Sequence, residues 1–105
     1  MIVVVFEVTP KDGRAQDYFD LAAELRPELE QVDGFISVER FESLSAPGKF
    51  VSLSFWRDAE AVRAWHGADN HAAAQMRGKS EIFADFRITV AESIRQYTMA
   101  DRISS

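Results

Sequence analysis

Between Trp56 and Gly78 the chain reads WRDAEAVRAWHGADNHAAAQMRG, and this stretch holds both tryptophans, both histidines, the only asparagine and the arginines Arg57, Arg63 and Arg77. An imidazole titrates near neutrality and can take a phenolic or quinol proton, so His71 is the expected general base and His66 the alternative. On a continuous helix these two positions point to different faces. With no third ligand evident beside them, no metal site is expected. Trp65 combines a large apolar surface with one N–H donor, which suits it to shape a pocket and hold a substrate oxygen. Trp56 stands at a strand end, where a purely structural role is the simpler reading. Asn70 either caps the following helix or orients a substrate carbonyl.

Other candidates lie outside this stretch. Arg77 and Arg87 could stabilise an enolate or semiquinone charge; the plainer readings are a solvated partner for carboxylates and a cross-strand pair with a glutamate. Glu7 is the one charge on an otherwise apolar segment. It either lines a pocket with a raised pKa or sits at an open end and stays ionised. Phe6 and Tyr97 are candidate walls for a bound ring. No paired acids of the glycosidase kind and no glycine-rich phosphate loop are present.

Composition narrows the partners. A net charge of −5 across 105 residues argues against nucleic acid, whose phosphates demand a basic face, and against an anionic membrane surface. No apolar run approaches the roughly 18 residues that span a bilayer, and MIVVVFEVTP reads as a strand rather than a leader. Without cysteine there are no disulfides, thiolate nucleophiles or Cys-ligated metals. A single cytoplasmic domain over residues 1–105 is expected.

The elements that must position these residues follow from periodicity. Ile2 to Thr9 is apolar and rich in β-branched residues, as in a strand buried on both faces. From Gly13 to Val32, Tyr18, Leu21, Ala22, Leu25, Leu29 and Val32 form a helical stripe, interrupted by Pro27, with Gly34 placed just past the end. Phe35 to Leu44 alternates loosely, with Ile36, Val38 and Leu44 on one face. Its charges Glu39, Arg40 and Glu42 suit an edge strand. After the Ser45–Gly48 turn, Phe50 to Trp56 is a third strand and Asp58 caps a helix carrying Ala61, Val62 and Trp65. A break at Gly67–Asn70 precedes a further helical turn with Ala72, Ala73 and Met76 inward. Phe86, Ile88, Val90 and Ile94 share one face of a last strand that ends near Thr98.

The order β-α-β-β-α-β is the ferredoxin-like plan, an α+β fold with an antiparallel sheet whose first and third strands are central. Helices cover one face of such a sheet, and here the other face is apolar too. A second copy of the chain is the expected cover, giving a homodimer with sheets face to face and the last strand reaching across.

Two segments, VSLSFWRDAEAVRAWHGADNHAAAQMRGKS and FADFRITVAESIRQY, together with Gly34-Phe35, resemble the antibiotic biosynthesis monooxygenase family of dimeric α+β barrels. The resemblance runs over nearly the whole chain. It implies a pocket between helices and sheet lined by Trp65, and an oxygenase that uses no cofactor on a small phenol, quinol or anthrone with O2. Such a substrate, once deprotonated, gives electrons to dioxygen itself while the protein supplies a dry cavity, a base and donors.

The haem-degrading branch of the family carries an asparagine on the first strand, a helical tryptophan and a histidine further along as iron ligand. Here Trp65 matches, but the strand position is Val4 or a neighbour, and the ligand position falls near Ala74 or Gln75. Haem is therefore disfavoured, since iron needs an axial ligand of this kind. A non-catalytic dimeric module for a small ligand stands as a further class, and an isomerase would turn over without oxygen.

Overall fold

The computed structural model describes residues 1–67 and 81–103. Its elements are β1 (Ile2–Pro10), α1 (Ala15–Glu30), β2 (Phe35–Glu42), β3 (Phe50–Trp56), α2 (Ala59–Gly67), β4 (Phe83–Glu92) and a short α3 (Met99–Ile103). The strands form one four-stranded sheet in the order β2-β3-β1-β4, antiparallel at every pairing. β1 and β3 are central, and β2 is an edge, as the charge pattern of its sequence requires.

Side-chain parity divides the sheet. Because successive residues of a strand point to opposite faces, Ile2, Val4, Phe6 and Val8 of β1 face the helices. On β3, Phe50 and Trp56 do the same. α1 packs Tyr18 and Leu21 against Val8, Phe50 and Phe83. α2 packs Ala61 and Val62 against Trp56, with Ile2, Val4, Leu29 and Phe35 completing that second cluster. The opposite face carries Val3 and Val5 paired with Phe55 and Leu53, and Glu7 paired with Val51. No described helix covers this face, and its apolar residues are only half-buried.

α1 continues through Pro27 to Glu30. Proline removes the hydrogen bond to the carbonyl four residues back, that of Ala23. Ala23 and Pro27 are both exposed, so the freed carbonyl lies on the solvent side of the helix, where its loss is tolerated. Gly34 is not an immediate helix stop. It lies in the turn before β2 at φ +94°, and a Cβ there would meet the Ala61 Cβ at 2.6 Å. Glycine lets this turn close onto α2, and Arg57 N–H donates to the Gly34 carbonyl at 2.7 Å. α2 begins as the sequence predicts, with Asp58 Oδ1 accepting the Ala61 N–H at 2.9 Å.

Two expectations are corrected. β4 ends at Glu92 rather than near Thr98, and Ile94 is 89% exposed. The cause is the partner strand: Glu92 pairs with Ile2, and Ser93 N–H donates to the Met1 carbonyl, where β1 runs out. On β2, a register shift between Phe35 and Ser37 breaks the alternation. Val38 therefore faces the helices with Arg40, whereas Leu44 lies beyond the strand and is almost fully exposed.

Candidate functional site

The two tryptophans have different environments. Trp56 ends β3 at 2% exposure, and its indole N–H donates to the buried Ser54 hydroxyl at 2.9 Å. Phe35 meets it edge-on at 5.4 Å between ring centroids. Its donor is used and its faces are covered, so Trp56 is a core residue and not the substrate contact considered for it. Trp65, one turn further along α2, is half-buried and packs on the cluster around Trp56. Among the described residues its indole N–H has no hydrogen-bond partner.

Phe6 faces the same side of the sheet. Its ring lies 6.5 Å from Tyr18, 6.0 Å from Phe83 and 5.9 Å from Phe86. Phe19 and Phe50 extend this aromatic cluster through Tyr18. In register with β1, Phe86 lies opposite Val8, Ile88 opposite Phe6 and Val90 opposite Val4. All three β4 residues therefore share the helix-side face, and each is about half exposed.

Glu7 and Arg87 belong to the other face. They are cross-strand partners, and the Arg87 Nε donates to Glu7 Oε2 at 2.7 Å. Lys49 Nζ adds a second contact at 3.2 Å. These hydrogen bonds, first from Arg87 and then from Lys49, outweigh desolvation and bring the Glu7 carboxyl down to about 2. Glu7 is thus an ionised structural partner and not a base with a raised pKa. Arg87 is the cross-strand pair to glutamate that its plainer reading anticipates. The sheet separates this pair from Phe6 and Trp65, so the residues selected from the sequence do not form one site.

Tyr97 lies after β4 and is exposed, and Arg95 donates to its hydroxyl at 3.2 Å. His66 is the penultimate residue of α2. Asn70, His71 and Arg77 lie outside the described residues, as do Ala74 and Gln75. Val4, on the helix-side face of β1, offers no donor or ligand where the haem branch has an asparagine. No described group of His, Asp and Glu side chains is arranged to hold a metal ion.

The structure adds Tyr18, which the sequence marks only as a member of the α1 stripe. Its hydroxyl accepts a hydrogen bond from Arg40 Nε at 3.1 Å, and the guanidinium sits 5.3 Å from the ring centroid. Burial raises its pKa, with the Arg40 hydrogen bond opposing, so the phenol is neutral at physiological pH. The signal available beforehand was a lone hydroxyl in an apolar stripe; nothing in the sequence names Arg40 as its partner. A separate concavity of about 320 Å³ opens on the flank of α1, where Asp17, Asp20, Glu24 and Glu81 contribute to its lining. It holds none of the aromatic groups above and does not suit an electron-rich ring.

Comparison with known proteins agrees with this geometry. The family model described as antibiotic biosynthesis monooxygenase matches residues 1–77. The jasmonate monooxygenase ABM of Pyricularia oryzae is 39% identical over 92 residues, covering 88% of this chain and 43% of that protein. The Bacillus subtilis protein YqjZ is 30% identical over 63 residues, covering 60% of this chain and 54% of that one. The chain thus spans about half, or less, of the length of these relatives. Among solved structures, a Deinococcus radiodurans protein assigned to the antibiotic biosynthesis monooxygenases aligns with a TM-score of 0.80 at 20% identity, over 94% of this chain and 98% of that one. Rv0793 from Mycobacterium tuberculosis aligns with a TM-score of 0.78 at 17% identity, over 92% and 98%. At such identities these structures speak for the fold alone.

Proposed function

The chain belongs to the antibiotic biosynthesis monooxygenase family, and from that membership we propose that it oxygenates a small phenol, quinol or anthrone with O2 and without a bound cofactor. The observation that carries this reading is Trp65, half-buried on α2 against the cluster around Trp56, with no partner for its indole N–H among the described residues. A donor in a water-poor cleft stabilises an oxyanion more than it stabilises the neutral hydroxyl. It thereby lowers the cost of deprotonating the ring.

In the proposed sequence His71 takes the ring proton and Trp65 holds the resulting oxyanion. The anion then gives an electron to dioxygen. For a ring methylene that becomes a carbonyl, the substrate yields four electrons. One O2 is reduced to the inserted oxygen and one water, and no external reductant is needed. The chain's own part is to bind the ring, remove the proton, hold the charge and exclude water. Asn70 and Arg77 are proposed to orient the substrate oxygen from the segment after α2.

We also propose a homodimer formed through the open sheet face. The surface of 7240 Å² exceeds the roughly 6,000 Å² of a compact monomer of this mass. The radius of gyration, 15.2 Å, exceeds the ~13 Å expected for this length. Val3, Val5, Leu53 and Phe55 are the residues the interface would cover.

The test is oxygen consumption by metal-free protein on a panel of reduced quinols and anthrones, with a parallel haem titration. Jasmonate joins the panel because the Pyricularia oryzae relative bears its name. Uptake above the spontaneous rate supports the oxygenase. Ligand binding without uptake favours a binding module, and anaerobic turnover favours an isomerase.

A further inference from the structure

Arg14, Arg26, Arg57 and Arg87 are each paired with a carboxylate. Arg40 is held differently. Its Nε donates to the Tyr18 hydroxyl at 3.1 Å and its guanidinium sits 5.3 Å from that ring, while no carboxylate among the described residues pairs with it. Glu42, the acidic side chain on the same face of β2, is turned to the hairpin, where it accepts the Gly48 N–H. Arg40 Nε is therefore taken and its two terminal nitrogens are open. Two hydroxyls beside it carry unspent donors. The buried Tyr18 hydroxyl accepts from Arg40, and its own proton meets no acceptor among the described residues. Ser52 stands opposite Arg40 on one side and Phe6 on the other, so it faces the helices, and directly opposed residues hold their Cβ atoms roughly 5 Å apart. Its half-buried hydroxyl likewise has no partner among the described residues. Ala22 of α1 and Val38 of β2 are half-buried apolar residues that join neither packed cluster. The seam between α1 and β2 is thus apolar along its length and rich in donors at one end. Asp17, Asp20 and Glu24 of α1 do not compete for that end. They line the concavity shared with Glu81, on the opposite flank of a helix with about 3.6 residues per turn.

We propose that this seam binds a small organic acid, its carboxylate on Arg40, Tyr18 and Ser52 and its apolar body along Ala22 and Val38. The donors select a carboxylate. The two terminal guanidinium nitrogens match the two oxygens of that planar group, and the hydroxyls of Tyr18 and Ser52 each add a neutral donor. Arg26, the next cation along this flank of α1, is spent on Glu30, so nothing balances the second charge of a phosphate. Tyr18 fixes the guanidinium before the ligand arrives, and little side-chain freedom is lost on binding. The chain's net charge of −5 repels anions in general, so binding here comes from the local donors and not from the field of the whole molecule.

The test is a ¹⁵N-correlation NMR titration of the whole chain with butyrate, read at the Arg40 Nε–H and the Ser52 amide. Sodium chloride at equal ionic strength, acetate and inorganic phosphate are the comparisons, and the dispersion of the same spectra reports folding. Butyrate is expected to shift both signals saturably, whereas chloride does not. Acetate binds at least about threefold more weakly, because it buries less apolar area. Arg40→Lys keeps the charge but loses the fork and is expected to weaken butyrate, read at Ser52, by about tenfold. Ser52→Ala removes a donor without unpairing any protein group and lowers affinity by about threefold or more. No saturable shift, an equal shift with chloride, or unchanged affinity in both variants overturns the site and leaves Arg40 as a cover for the Tyr18 ring. Phosphate binding more tightly than butyrate overturns the assignment to a carboxylate. None of these readings uses oxygen uptake, so failure of this site and failure of the oxygenase are told apart.

Discussion

At the scale of single residues, the two tryptophans separate stability from function. Trp56 is enclosed and hydrogen-bonded, so Trp56→Ala leaves a cavity and an unpaired Ser54 hydroxyl. We expect a loss of about 3–5 kcal/mol in chemical denaturation. Trp65→Ala removes a half-exposed ring and is expected to keep the fold by circular dichroism while turnover falls at least about tenfold; Trp65→Phe restores the wall but not the donor. His71→Ala is expected to lower turnover by ~10²–10⁴-fold and to flatten the pH–rate profile near neutrality. Unchanged rates in both Trp65→Ala and His71→Ala would remove the pair from the mechanism.

At the scale of elements, strand parity explains what the sequence allowed and what it concealed. Phe6 and Glu7 are consecutive in one strand, so they had to face opposite sides, and placing both at one substrate was open to correction from the sequence itself. The pairing of Glu7 with Arg87 needed the register of β1 against β4, which no local pattern encodes. The bulge in β2 and the end of β4 at Glu92 were equally hidden, because both depend on where a neighbouring strand lies.

The Glu7 ion pairs make a pH expectation. The folded carboxyl sits at about 2 against an ordinary 4.5, so its contribution is complete above pH 4.5 and fades as pH falls toward 2. The stability difference between wild type and Glu7→Gln, followed by thermal unfolding, should shrink over that interval; a constant difference would contradict the ion-pair account. At Gly34, the φ of +94° and the Ala61 contact make Gly34→Ala costly, by more than about 1 kcal/mol. Denaturant titration checks this, and a neutral result would mean that the turn can move off α2.

At the scale of the molecule, element order, the central pair of strands and the family were legible because hydrophobic periodicity and the Trp56–Gly78 stretch carry them. The apolar character of both sheet faces was legible as well, and from it the proposed dimer. Sedimentation should give twice the mass of one chain, and Leu53→Lys, on the open face, should shift it to one. A monomer for the wild type would leave that face without the cover we propose. No described helix is long and apolar enough to cross a membrane. The base was legible only as a residue type near a helical tryptophan, since His71 and its neighbours lie outside the described residues.

The central claim is that this fold oxygenates a ring using electrons from the substrate alone. It is tested most directly by ¹⁸O2 labelling with metal-free protein and an anthrone or quinol identified by the oxygen-uptake panel, read by mass spectrometry. The account expects one labelled oxygen atom in each product molecule and the other in water, with labelling suppressed in Trp65→Ala. Product bearing only solvent oxygen, or formed only after haem is added, would contradict it.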